Sequence, residues 1–453
     1  MIGGKKILND KKKYIFIGIG VVLLIVVLVC FLLALKKHNS DKTVTSTAES
    51  ATAISSKYDE VDYGDKEEFT GKTISSGGTY DITGEVAGIV INTTDSVQLN
   101  LKDATITNES GPAIYVENAK TVSIVLSGTN TITSTTTEEL DGAIYSTDDL
   151  IISGTGTLNV TSNYDGIVSK DTLVIKSGTY IINSEDDGIR GKDNVAIVDG
   201  NFTINAKGDG IKSTDENDST KGYVAIDGGK FTINTVNDGI QAETELVING
   251  GTFNIKTTGT GNDVSSKGLK AVTVLEINDG DITINSVDDG IHSDGDLAIN
   301  KGIINVTSKD DAVHADGMVE INGGEITLTA AEGIEGTYVK INDGTIKISA
   351  SDDGINAGNK SDKYKVLVEI NGGDITINMG QGDTDGVDSN GDITINGGTI
   401  SVTGQSAFDY DGTGKINGGT VICNGEKVTS LPNQMMGGPG GGGNQNNRGQ
   451  RMR

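Results

Sequence analysis

From about Gly71 to Gly425 the chain alternates apolar and polar residues with a period of two, in short runs broken by glycine-containing turns. Such a run places every second side chain on one face of a strand. The segments "GIVINTTDSVQLNLKDATI", "AIYVENAKTVSIVLSGTNTI" and "AIYSTDDLIISGTGTLNV" carry this pattern in the N-terminal part. Further on, the pattern acquires a second, longer period. An Asp-Gly-[Ile/Val] beat falls at Asp165, Asp187, Asp209, Asp238, Asp289, Asp311 (with Ala312), Asp353 and Asp385. Lys267-Gly268-Leu269 and Glu332-Gly333-Ile334 fill the two missing beats. Between the beats runs Ile-Asn-Gly-Gly or a close variant, beginning at Ile248, Ile277, Ile299, Ile321, Ile341, Ile370, Ile395 and Ile416.

The commonest step is 22 residues; the longer steps carry insertions around Asp215–Lys221, Thr258–Ser265 and Gly358–Lys365. Three short strands per repeat, separated by turns, predict an all-β solenoid: a right-handed parallel β-helix. In one repeat the strands are expected at Gly290–Ser293, Leu297–Asn300 and Ile303–Thr307. About 14 coils stacked at roughly 4.8 Å make a rod on the order of 65 Å. A propeller blade needs about 40 residues, and the glycine density and strand alternation exclude a helical solenoid.

Stacked coils turn the period into columns. One column is Asn249, Asn278, Asn300, Asn322, Asn342, Asn371, Asn396 and Asn417. It reads as a structural amide ladder at a turn where asparagine tolerates left-handed backbone. A second column holds the Asp of each beat, doubled in some coils by Asp186, Asp288, Asp310 and Asp352. An Asp-Gly turn accounts for one carboxylate per coil. Two adjacent carboxylates repel, and a hard divalent cation bound by carboxylate and backbone oxygens removes that repulsion. The expected Ca2+ ligands are therefore Asp165, Asp186, Asp187, Asp209, Asp238, Asp288, Asp289, Asp310, Asp311, Asp352, Asp353 and Asp385.

Three residues after each beat lies an outward position. It reads Val168, Arg190, Lys212, Gln241, Lys270, His292, His314, Glu335, Asn356 and Asp388. The stretch Arg190, Lys212, Gln241, Lys270, His292, His314 forms a mostly basic floor beside the carboxylates. It serves either as internal ion pairs or as a reader of an extended anionic polymer. Asp294 and Asp316 follow the two histidines, a donor set that also admits a transition metal.

Composition sharpens the picture. The formal charge is -27, with 64 glycines, 3 prolines and 4% aromatics. The first 42 residues hold 8 Lys and 2 Asp, so the remainder, with 28 basic and 61 acidic residues, sits near -33. Such a surface repels nucleic acid and anionic lipid and gathers cations. Few aromatic platforms are available for neutral sugars. Cys30 and Cys423 are not expected to pair. "GTGNDV" at 259–264 is a single poor match to a nonapeptide calcium repeat.

Residues 15–35, "IFIGIGVVLLIVVLVCFLLAL", carry no charge and suffice to cross a bilayer as a helix of about 30 Å. The lysine excess before them predicts the N-terminus inside. The expected organisation is a cytoplasmic segment 1–14, an uncleaved anchor 15–35, a linker 36–71, the β-helix 72–431 outside the cell, and a disordered Gly-rich tail 432–453.

On the Asp-Asp-Gly-Ile and Ile-Asn-Gly-Gly beats and the Gly-rich tail, the chain resembles the clostridial-type carbohydrate-binding domain proteins with a right-handed parallel β-helix. The resemblance covers roughly four-fifths of the sequence. It implies Ca2+ binding, an acidic polysaccharide such as polygalacturonate as partner, and structural kinship to family 9 pectate lyases. A lyase needs Ca2+ and a basic residue to take the proton beside the uronate carboxylate, for which Lys212, Arg190 and Lys270 stand in the right column. Binding without turnover is the preferred expectation. A lyase, or a surface spacer or adhesin, is the alternative.

Overall fold

The computed structural model describes residues 43–260, 264–381 and 384–433. The expected anchor and nearly all of the Gly-rich tail lie outside the described residues. Among the described residues no helix is long and apolar enough to cross a membrane. The chain divides into two compact units, Met1–Val44 and Thr45–Arg453.

Each coil contributes three strands, and each strand pairs in parallel with its counterpart one coil on. On the first face Ile189–Gly191 pairs with Ile211–Ser213, and that with Ile240–Ala242. On the second, Asn194–Ile197 pairs with Tyr223–Ile226. On the third, Asn201–Ala206 pairs with Lys230–Thr235. The architecture is thus a parallel β-helix. The expected strands of one repeat appear at Ile291–Ser293, Asp296–Ile299 and Ile303–Thr307. An antiparallel hairpin, Thr420–Cys423 with Glu426–Val428, ends the stack.

The core is a set of columns. Ile189, Ile211, Ile240, Leu269, Ile291, Val313 and Ile334 are fully buried one above another. Tyr180, Phe202, Phe231 and Phe253 form a continuous stack with ring centroids 4.6–4.8 Å apart. Parallel registry of this kind is imposed by the strand pairing, since the rings rise with the coils.

The two motifs have separate physical roles. The Asp-Gly glycine faces inward at a close approach: a Cβ on Gly210 would lie 2.4 Å from the Gly239 carbonyl oxygen and 2.6 Å from Ile233 Cγ2. In Ile-Asn-Gly-Gly the second glycine makes the left-handed turn, as at Gly251 (φ +114°) and Gly324 (φ +100°). The asparagine is not the left-handed residue, which corrects that expectation. It does form the ladder: each side-chain amide donates to the carbonyl of the asparagine one coil earlier at 2.7–2.9 Å, from Asn278 to Asn417.

The stretch expected to be a linker differs from its reading. Thr45–Asp59 runs along the second face against the direction of coil growth. Ser46 N–H donates to Glu276 Oε2 (2.7 Å), Thr47 N–H to Glu245 Oε2 (2.7 Å) and Thr52 N–H to Asp227 Oδ2 (2.7 Å). Helix α1 (Ala51–Ser56) is capped by Ser50 and buries Ala51 and Ile54 against Ile151, Val174, Ala196 and Ala225. Lys176 pairs with Asp59 at 2.6 Å. A polar composition hid two apolar residues whose partners lie about a hundred residues away or more.

Candidate functional site

The strand pairing brings the expected outward column into a single line, from Val168 through Arg190, Lys212, Gln241, Lys270, His292 and His314 to Glu335, Asn356 and Asp388, and on to Asp409. The beat carboxylates flank it. Asp165, Asp187, Asp209, Asp238, Asp289 and Asp311 are all buried, at 1–7% exposure.

All of these carboxylates but Asp311 have two jobs, and Asp353 shares the first. Oδ1 accepts the backbone N–H one coil on: Asp187 N–H to Asp165 (2.9 Å), Asp209 to Asp187 (2.7 Å), Asp238 to Asp209 (2.8 Å), Lys267 to Asp238 (2.7 Å), Asp311 to Asp289 (3.1 Å) and Asp385 to Asp353 (3.2 Å). This ladder satisfies buried N–H groups that strand pairing leaves over. Oδ2 turns to the basic column. Arg190 bridges Asp165 (2.6 Å) and Asp141 (2.5 Å). Lys212 pairs with Asp209 (2.6 Å), Lys270 lies 3.8 Å from Asp238, and Lys267 reaches Asp288 (2.6 Å) and Asp289 (3.3 Å). The basic floor expected to read a polymer is therefore already engaged with its own carboxylates. Of the two uses considered, internal ion pairing is what the geometry displays.

The first members of the doublets behave differently. Asp186, Asp310 and Asp352 are exposed and Asp288 is half-buried. Carboxylate oxygens of Asp165, Asp186 and Asp187 lie within 4.8 Å of one another, as do those of Asp288, Asp289 and Asp310. Hard oxygen donors converging at this spacing fit a Ca2+ ion better than a softer one.

His292 and His314 face outward yet are only 8% exposed, because their rings stack on each other at 4.7 Å and neighbouring carboxylates enclose them. His292 Nδ1 lies 2.7 Å from Asp289 Oδ2 and its Nε2 2.8 Å from Asp294 Oδ1. His314 Nδ1 lies 2.8 Å from both Asp311 Oδ2 and Glu335 Oε2. Burial opposes charge on His314, but hydrogen bonds to Asp311, Asp316 and Glu335 outweigh it and hold the imidazolium well above the usual histidine range.

Beyond His314 the strip turns acidic. Burial, then the charges of Asp388 and Glu332, push the Asp353 carboxyl up to about 8. Burial and Glu335 push Glu332 up to about 7, and burial with Asp385 and Asp409 pushes Asp388 up to about 6. Near Arg190, burial pushes Asp165 up to about 7 despite the guanidinium. Glu332, Glu335 and Asp388 belong with the candidate cation ligands although they fall outside the Asp-Gly beat. Glu335 and Asp388 stand in the outward column and Glu332 fills a beat, which were the available signals. Lys360, from an inserted loop, pairs with Glu335 at 2.7 Å, and no periodicity announces it.

The first face of this parallel β-helix is thus a continuous strip lined with carboxylates. Family-model matches over residues 70–312 and 301–429 place the chain in the carbohydrate-binding domain-containing protein family, to which it belongs. A search of curated proteins finds no match. Among solved structures, the chain is similar to the polysaccharide lyase-like protein from C. thermocellum, determined as a gadolinium derivative. The identity is 28%, over 47% of this chain and 86% of that one, with a TM-score of 0.40.

Proposed function

We propose that the protein binds a polysaccharide along the first face, that the polymer is acidic, with polygalacturonate as the model ligand, and that Ca2+ bridges the two. Membership of a carbohydrate-binding family supports the general reading. The observation that carries the finer one is the acidic run of Glu332, Asp353 and Asp388 at successive coils, where burial and then neighbouring carboxylates raise each carboxyl. An anionic polymer meets repulsion there unless a cation lies between, and a hard divalent ion with open positions binds both partners at once. Direct ion pairing to Arg190 or Lys212 is disfavoured, since both are held by buried carboxylates. In this reading the β-helix is extracellular and residues 15–35 anchor it to the cell membrane.

Turnover is not part of the proposal. A lyase base must shed its proton near neutral pH. Burial would lower the Lys212 ammonium, but Asp209 and Asp187 override it and hold it well above the ordinary lysine range. Arg190 is likewise shifted up by Asp165 and Asp141.

The test is retention of the protein on polygalacturonate with Ca2+ or with chelator, alongside the ultraviolet absorbance of unsaturated uronate ends. Ca2+-dependent retention with flat absorbance supports binding. Rising absorbance replaces it with a lyase, and retention that ignores chelator removes the bridge. Loss of both signals favours a spacer or adhesin.

A further inference from the structure

Among the first-face columns, two overlapping groups carry donors of mixed chemistry, Asp289 with His292 and His314, and Asp311 with His314 and Glu335; only the second sets two carboxylate oxygens against one ring nitrogen. His314 Nδ1 faces two carboxylate oxygens at once, Asp311 Oδ2 and Glu335 Oε2, each at 2.8 Å. A ring nitrogen has one proton to give, so two acceptors at equal distance compete for it. All three donor atoms lie within 4.8 Å of one another, and all three residues are buried. On the far side of the ring, Nε2 faces Asp316 Oδ1 at 3.4 Å. A carboxylate behind an imidazole fixes its tautomer and orientation when the opposite nitrogen binds metal.

The spacing suits an ion. Metal–ligand bonds of about 2.0–2.2 Å place neighbouring ligand atoms roughly 3 Å apart, close to the 2.8 Å contacts around Nδ1. We propose that Asp311, His314 and Glu335 form a three-ligand site for a divalent first-row transition metal ion such as Zn2+, with Asp316 orienting the imidazole. The imidazole nitrogen selects such an ion over Ca2+, which prefers oxygen throughout. Three protein ligands leave positions open toward the strip, where water or a polymer oxygen completes the sphere.

Other charges face this coil. Lys360 Nζ lies 2.7 Å from the same Glu335 Oε2 that faces His314, with 31% of its side chain exposed. It arises from an inserted loop, so it is a removable competitor for the metal position. Glu332 and Asp310 border the site, and Asp289 of the preceding coil lies near His314. His292 repeats the arrangement one coil earlier but its Nδ1 meets a single carboxylate, Asp289. It therefore lies outside the ligand set.

The experiment is calorimetric titration of the full chain with Zn2+ in excess Ca2+, which occupies oxygen-only sites, followed by the absorption spectrum with Co2+ as probe. One Zn2+ per chain is expected, with a Co2+ spectrum of nitrogen and oxygen ligation. His314→Gln should abolish the site, and Asp316→Asn should weaken it by about 10- to 100-fold. Lys360→Ala should tighten binding, a gain that misfolding cannot imitate. His292→Gln should leave it unchanged. The proposal fails if folded His314→Gln retains stoichiometric Zn2+, if Lys360→Ala does not tighten binding, if His292→Gln abolishes it, or if excess Ca2+ displaces the ion. A strong thiolate band with Co2+ would assign the metal to a cysteine and also overturn it.

Discussion

Asp209 separates the two roles of the beat carboxylate. Its Oδ1 accepts the Asp238 N–H at 2.8 Å, and its Oδ2 binds Lys212 at 2.6 Å, with the carboxylate itself 2% exposed. Asp209→Ala removes both contacts. A buried N–H left without an acceptor costs about 1–3 kcal/mol. The ion pair adds no more than about 1 kcal/mol, because the lysine side chain is 26% exposed and screened. Relief of repulsion on Asp187 returns a fraction of that. The net cost is about 3 kcal/mol. Asp209→Asn keeps the oxygen acceptor and removes the charge, so about 1 kcal/mol or less is expected. A solenoid opens coil by coil, which makes a single melting temperature a poor readout. Hydrogen exchange at the 238 amide is better: Asp209→Ala should accelerate it roughly a hundredfold and Asp209→Asn less than tenfold. Equal acceleration in both variants, or none in the alanine variant, would refute the ladder.

The acidic end should respond to pH. The folded carboxyl of Asp353 stands at about 8 against an ordinary 3.8. An acid raised by folding adds stability while protonated and loses it as pH climbs from about 4 to 8. The ceiling is about 6 kcal/mol at 1.4 per unit, reduced by solvent screening to about 2–3 kcal/mol. Urea unfolding in chelator should therefore show falling stability over that window, and Asp353→Asn should flatten the slope; an unchanged slope contradicts the assignment. Asp288 and Asp310 serve no ladder bond, so converting both to Asn should weaken Ca2+ binding about tenfold or more while costing no more than about 1 kcal/mol of stability, from the Lys267–Asp288 pair, and calorimetry that finds unchanged affinity rules out the doublet site. Ile54→Asp places a charge in the apolar seat of α1, and limited trypsin digestion should then cut at Lys57 far faster than in the parent chain. Equal rates would mean that the seat does not hold the strap.

Periodicity made much of this molecule readable. In a solenoid, sequence spacing is register, so Asn249 to Asn417 and Arg190 to His314 could be aligned before any coordinates. Oxygen-level detail could not. Whether Asp209 points at a backbone N–H or at a cation depends on where the next coil's Asp238 N–H falls, and no spacing encodes that. The basic column was read partly as a polymer contact because its charge was visible and its buried partners were not. Asp141, which completes the Arg190 bridge, opens an Asp-Gly pair one coil before Asp165, but Ala143 follows it where the beat has Ile or Val, so the pattern passed over it. Lys360 and the strap escaped for a related reason: both are aperiodic, and their partners are set by the fold alone.

The strap also determines how tension enters the rod. A pull on the chain upstream of Thr45 does not reach the first coil directly. It meets Glu276 and Glu245 first, then Asp227, then the apolar seat of α1, and last Lys176. These contacts lie in order along the second face, so they yield one after another, like a seam opened from one end. Each release lengthens the tether while every coil stays closed. Residues 45–59 thus act as a short extensible leader whose slack is drawn out before the carboxylate-lined strip bears load.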